Sequence, residues 1–313
     1  MNIPFQRQLE LIEAPSPLGL RPPSPGHVPG TRFMPRALVE SGLLDALPLA
    51  GRTTLPEPSY VSDPDSVSGI RNHQEIIRFT GDLDRAITES LKAGRFPVVI
   101  GGDCSVLLGP AVSLRRLGRF ALVHFDGHND FGHEGNWGKP YASVAGADLA
   151  IVTGRGPRTL TDIGGLRPYF LDEDVFQLGE KADAHSASYP FKDFPRTSVH
   201  RMPLSQVKAE GIDAVTSQIG TMIAAAPVKG FWLHVDVDVI DSALMPAVDS
   251  PENCGLSWAE FDAALGEFLR DPKLVGLNIG IFDPELDTSG EHARRLAAIL
   301  RRRLIEVTAF RRD

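Results

Sequence analysis

The sequence predicts an α/β protein whose central, mainly parallel sheet is covered by helices on both faces. Short apolar runs such as Pro97-Val-Val-Ile100 and Phe231-Trp-Leu-His-Val235 have the length and residue types of buried strands. Segments with helical apolar spacing alternate with them, the pattern of a parallel sheet joined by crossover helices. Glycine, aspartate and histidine gather just after the apolar runs, at the carboxyl ends of strands, where such sheets bind their ligands.

In chain order, Leu9 to Ala14 is the first strand, followed by a loop from Pro15 to Gly30 too rich in proline for regular helix. Apolar spacing predicts a helix from Phe33 to Leu47, and the polar, proline-rich Leu49 to Asn72 is expected to be an exposed excursion. Glu75 to Lys92 has helical spacing (Ile76, Phe79, Leu83, Ile87) and stops at Gly94. Pro97 to Ile100 is a strand that turns through Gly101-Gly-Asp-Cys-Ser105 into a helix running to Gly118. Phe120 to Val123 is a buried strand, and Tyr141 to Gly154 a helix of small residues. Val175 to Leu178 and Val199 to Met202 are further strands, and Ser205 to Ala226 is a helix. Ser257 caps a helix from Trp258 to Arg270, with Glu260 completing a capping box. Leu274 to Phe282 is the last strand and His292 to Val307 the last helix. There is no internal repeat and no domain boundary, so residues 1–313 are expected to form one domain.

A net charge of -8 gives no electrostatic footprint for nucleic acid. The arginines at 294, 295 and 301–303 fall on the last helix, as a solvated or interfacial face. No apolar stretch approaches the roughly 18 residues that span a membrane, and the first residues lack a signal-peptide core. Two cysteines, Cys104 and Cys254, make no disulfide framework, so a cytoplasmic protein without a membrane partner is expected.

Two acidic clusters point to the chemistry. In His124-Phe-Asp126-Gly-His128-Asn-Asp130, side chains two apart on an extended chain point the same way. Two carboxylates and an imidazole converging at a strand end are costly unless a cation lies between them. In Phe231-Trp-Leu-His-Val-Asp236-Val-Asp238, two aspartates share one face of an apolar strand, where buried like charges raise each other's pKa. Side by side, these strands supply enough ligands for two divalent metals if one or two carboxylates bridge.

Four motifs in this order, Gly101-Gly-Asp-Cys-Ser105, Asp126-Gly-His-Asn-Asp130, His234-Val-Asp-Val-Asp-Val-Ile-Asp241 and Ile281-Phe-Asp-Pro284, resemble the ureohydrolase (arginase/agmatinase) family. The resemblance runs from the early proline-rich loop to Pro284. It implies a three-layer α/β/α sandwich, a homo-oligomer and a two-manganese site. It further implies hydrolysis of a C–N bond in a guanidino, ureido or formimino small molecule by a hydroxide bridging the metals. Carried over by position, Asp126, Asp130 and Asp236 hold one metal, with Cys104 where the family has histidine. His128 and Asp238 hold the other, Asp126 and Asp236 bridge, and Asp130 and His128 take the catalytic roles.

The departures narrow the chemistry. A thiolate at Cys104 is a softer ligand, which moves the metal preference from Mn2+ toward iron, cobalt or zinc. Gly127 replaces the family's alanine, a neutral change on sequence grounds. Trp137 stands where a proton-shuttling histidine is expected, facing the substrate, with His133 left open as its substitute. Ile281 stands where a glutamate pairs with the substrate guanidinium, leaving Asp283 and Glu252 as candidate replacements or as plain loop carboxylates. A hydrophobic residue cannot satisfy a cation in a closed site, so a neutral or less basic substrate is expected. A catalytically silent metal-binding or regulatory relative is the alternative, and the retained aspartates argue against it.

Overall fold

The structure is a computed structural model that describes residues 7–136, 143–182, 189 and 191–309. Its centre is one sheet of eight strands: β1 (Leu9–Glu13), β2 (Leu49–Thr54), β3 (Phe96–Ile100), β4 (Ala121–Phe125), β5 (Val175–Leu178), β6 (His200–Met202), β7 (Phe231–Asp236) and β8 (Leu274–Gly280). The order is β2-β1-β3-β8-β7-β4-β5-β6, and every pairing is parallel. The helices are α1 (Met34–Glu40), α2 (His73–Lys92), α3 (Leu108–Leu117), α4 (Asp148–Val152), α5 (Arg158–Thr161), α6 (Leu204–Glu210), α7 (Ile212–Ala225), α8 (Trp258–Arg270) and α9 (Glu291–Ala309).

Side-chain alternation divides the core into two layers. Leu11, Val98, Val123, Phe125, Leu233 and Val235 pack against α1 and α6 to α9. Ile12, Val99, Leu122 and Trp232 face the other way, against α2 to α5. The sheet is thus apolar on both faces, as a parallel sheet between helices must be. The capping box at Ser257 is present, with Ser257 and Glu260 each holding the other's backbone N–H.

Several boundaries differ from the sequence reading. Leu49 to Thr54 is no excursion but the edge strand β2, whose alternating half-buried residues pair with β1. Its Arg52 and Thr54 side chains hold the otherwise buried Glu13 carboxylate. The helix expected from Phe33 to Leu47 is a single turn, Gly30–Phe33, followed by α1, because Gly42 adopts φ +86° just after its end. Gly211 (φ +88°) divides the helix expected from Ser205 to Ala226 into α6 and α7. The helix expected from Tyr141 is described from residue 143, as a turn at Ala145–Ala147 and then α4. β8 stops at Gly280, two residues short of its expected end, because Ile281 is left-handed at φ +73°.

β3, β8, β7 and β4 are consecutive neighbours in the sheet. Their carboxyl ends therefore bring Cys104, Ile281, Asp236 and Asp126 to one edge.

Candidate metal centre

Each candidate ligand is set by the turn that ends its strand. After β3, Gly101 and Gly102 take φ +98° and +82°, and a Cβ at Gly102 would lie 2.8 Å from the Ala14 carbonyl. The buried Asp103 carboxylate accepts from the Ser105 N–H at 2.8 Å and from the Ser16 hydroxyl at 3.1 Å. It fixes the turn that carries Cys104.

After β4, Asp126 Oδ1 accepts the His128 N–H at 2.6 Å; after β7, Asp236 Oδ1 accepts the Asp238 N–H at 2.7 Å. These are the same Asx turn used twice. The convergence thus comes from two matched turns and not from continued strands, because β4 stops at Phe125 and β7 at Asp236. Asp130 completes the first turn in the left-handed region at φ +41°. A Cβ at Gly127 would meet Asp238 Oδ1 and Lys181 Cε at 2.9 Å each. A side chain at this position would therefore need the Lys181 and Asp238 side chains to shift by a few tenths of an ångström.

The side chains meet closely. Cys104 Sγ donates to Asp236 Oδ2 at 3.1 Å, and His128 Nδ1 lies 2.9 Å from Asp238 Oδ2. Asp126, His128 and Asp238 each offer a ligand atom within 4.8 Å of the others. Burial, added to the Asp238 charge, pushes the Asp126 carboxyl up to about 7. Burial and neighbouring carboxylates also hold Asp130 and Asp236 well above the usual range. The Cys104 thiol is raised by burial and by four carboxylates, Asp236 foremost. At His128, burial works against protonation, but Asp238, with Asp126 and Asp236, outweighs it and lifts the imidazole to about 10.

This donor set fits divalent cations. The buried Asp126 Oδ2 has no hydrogen-bond partner, and so many carboxylates cannot ionise together without positive charge between them.

Beneath these turns lies a feature that sequence reasoning missed. His124 and His234 are in register on β4 and β7, with Gln177 beside the first on β5 and Asn278 beside the second on β8. All four are fully buried and form one polar row on the α2–α5 side of the sheet. The two imidazoles stack at 4.8 Å, and the buried Asp148 carboxylate at the start of α4 faces them. Burial lowers both imidazoles, His234 to about 4. The available signal was a histidine two residues ahead of the aspartate in each strand, at equivalent positions.

A cavity of about 310 Å³ opens onto the cluster, lined by Cys104, His128, Asp130, Asp236, Asp238 and Ile281, with Arg21, Ser143 and Asp249 also on its wall. Burial, with the charges of Asp238, Asp103 and Asp283, raises the Asp249 carboxyl. Of the remaining candidates, Glu252 is half exposed, with Oε1 3.6 Å from His128 Nε2. Asp283 accepts the backbone N–H groups of Gly30 (3.1 Å) and Glu285 (2.9 Å), and so serves the loop rather than the cavity wall. His133 is paired with Asp193 at 2.7 Å. Trp137 lies outside the described residues.

Comparison with known proteins agrees with this architecture. The Arginase family model matches residues 24–306. The chain is 24% identical to an arginase of Staphylococcus aureus, over 94% of this chain and 96% of that one. It is 29% identical to an N(1)-aminopropylagmatine ureohydrolase of Thermus thermophilus, over 67% of this chain and 61% of that one. The fold superposes on the arginase of Bacillus caldovelox with a TM-score of 0.82 at 22% identity, covering 94% of this chain and 97% of that one. With the family matched over nearly its whole length, the chain belongs to the arginase family and is a hydrolase of C–N bonds of the amidine and guanidine type.

Proposed function

We propose that the protein hydrolyses a C–N bond in a guanidino, ureido or formimino small molecule, with preference for a neutral or weakly basic reacting group. The observation that carries the preference is Ile281, which is buried and forms part of the cavity wall beside the acidic cluster. Cys104, Asp126, Asp130 and Asp236 would hold one divalent ion, and Asp126, His128, Asp236 and Asp238 the other. Mn2+ is the first candidate, and the sulfur at Cys104 leaves iron, cobalt or zinc open. When bound, such a pair supplies a water of lowered pKa and positive charge toward the reacting carbon.

The chain's own groups do the rest. Asp130, which lines the cavity, takes a proton from the attacking water and returns it to the leaving nitrogen. In the metal-free protein Asp238 Oδ2 holds the His128 ring through Nδ1, which keeps that nitrogen at the site where a bound ion would displace its proton. Arg21 on the cavity wall suits an anionic group elsewhere on the substrate. The apolar side chain of Ile281 offers a guanidinium no partner at that point of the wall, which disfavours arginine and agmatine.

The test is kcat/KM of the metal-loaded protein for arginine and agmatine against ureido, hydroxyguanidino and formimino analogues. A neutral or weakly basic compound should be preferred. Arginine hydrolysed as efficiently as any of them would overturn the assignment.

A further inference from the structure

Asp148 has no place in the ligand set carried over from the family, yet it is fully buried at the start of α4. Its Oδ1 accepts the Leu149 N–H at 2.5 Å, while its Oδ2 has no hydrogen-bond partner. A half-satisfied buried carboxylate is costly unless a cation or a set of donors compensates it. Two imidazoles face it: His124 Nε2 at 3.4 Å from Oδ1 and His234 Nε2 at 3.6 Å from Oδ2. The first is a long hydrogen bond, and the second lies just beyond hydrogen-bond distance.

A chain of donors behind the imidazoles fixes which group is free to bind a metal. Trp232 Nε1–H can only donate, and it does so to Asn278 Oδ1 at 2.8 Å. The amide nitrogen of Asn278 therefore faces His234 Nδ1, 2.7 Å away, and that ring nitrogen accepts. Neutral His234 must then carry its proton on Nε2, pointing at Asp148 and at Asp126, whose Oδ2 lies 3.9 Å away. A nitrogen that carries a proton is not a metal ligand. His234 can only orient the carboxylates. On the other side, Asp148 meets Cys104 and Asp130, each of the three offering a ligand atom within 4.8 Å of the others.

We propose that Asp148 is a further ligand of the ion held by Cys104 and Asp130, oriented from behind by His124 and His234; the role rests on the two-metal reading above. It places a fully buried carboxylate in the shell where the family's imidazole has given way to a thiol.

The metal-free protein is titrated with Mn2+ alone, in the natural form and as Asp148→Asn, following free Mn2+ by its electron paramagnetic resonance signal. Losing a group that only orients a ligand costs roughly 10- to 100-fold in metal affinity. Asp148→Asn should weaken one ion by more than about 100-fold and leave the other in place, while His234→Gln stays within the lower range. Two ions bound by Asp148→Asn with unchanged affinity would overturn the ligand role and leave the two-metal reading standing. A natural protein that takes up no Mn2+ would overturn both. If Asp148→Asn does not fold by circular dichroism, anomalous diffraction from Mn2+-loaded crystals of the natural protein decides. An Asp148 oxygen bonded to an ion supports the role, and one held away from both ions refutes it.

Discussion

Replacing Ile281 by glutamate is the most direct probe of substrate charge. Ile281 is 3% exposed, donates its N–H to the Gly102 carbonyl at 2.9 Å and lines the cavity beside Asp238 and Asp249. A carboxylate there would offer a guanidinium a charge-assisted hydrogen bond worth about 1.5–3 kcal/mol, or roughly ten- to a hundred-fold in binding. The variant should therefore raise kcat/KM for arginine or agmatine, relative to a neutral ureido analogue, by about that factor.

The metal-free variant is expected to be less stable, because it adds a buried carboxylate beside Asp238 and Asp249, where burial and like charge already raise the Asp249 carboxyl; two smaller effects oppose each other. Removing the buried isoleucine side chain loses roughly 1.5–3 kcal/mol. The β-branched residue at φ +73° carries strain of order 1–3 kcal/mol, part of which an unbranched side chain relieves. The assay is the kcat/KM ratio in both proteins, after thermal melts and metal counts confirm that the variant folds and loads normally. A normally loaded variant with an unchanged ratio would refute the argument from Ile281, and Asp249 on the same wall would be the next residue to test.

Other expectations follow from the same geometry. Asp236→Asn, which alters a proposed bridge, should remove both ions, whereas His128→Ala should weaken mainly one; unchanged metal content in Asp236→Asn would exclude bridging. Cys104→His should keep two ions and Cys104→Ala should weaken one, and thiol labelling of Cys104 should slow when metal is added, since coordination would deprotonate and cover the sulfur. Asp262 is a stability test remote from the site: despite partial burial, its hydrogen bonds to Arg303 (2.7 Å) and Arg302 (2.6 Å) hold its carboxyl below the usual value. Its contribution is complete above the unfolded-state pKa and lost as pH falls through the folded one, so melting temperature should drop in acid, and less steeply in Asp262→Asn.

Much of the fold was legible because burial on both faces writes a parallel strand as a continuous apolar run. β3, β4, β5 and β7 were visible for that reason. β2 was not, because an edge strand is half solvated: Leu49–Thr54 carries Gly51, Arg52 and two threonines and looks like loop. Its Arg52 and Thr54 side chains partner Glu13 across the β1–β2 pair, and no local pattern encodes that. Helix ends were misjudged where one glycine decided them, as at Gly211.

The candidate ligands were legible because carboxylates inside apolar runs have few structural explanations, and the turns after β4 and β7 repeat one local geometry. Asp148 was not, because its environment is assembled by register. Parallel pairing sets His124 of β4 beside His234 of β7, and His234 beside Asn278 of β8. Residues about 110 and 44 positions apart thereby become one polar row. Only then does an aspartate beginning a five-residue helix acquire a meaning, since the row presents an imidazole N–H to it and Trp232 and Asn278 fix which nitrogen that is. A row so placed would be a liability in an apolar core unless something on the far side of the carboxylates repaid its burial. Asp126 and Asp148 both face the row, and each keeps one oxygen without a hydrogen-bond partner. Cation binding at the carboxyl ends of β4 and β7 would compensate this arrangement, and the Mn2+ titration of the natural protein is its test.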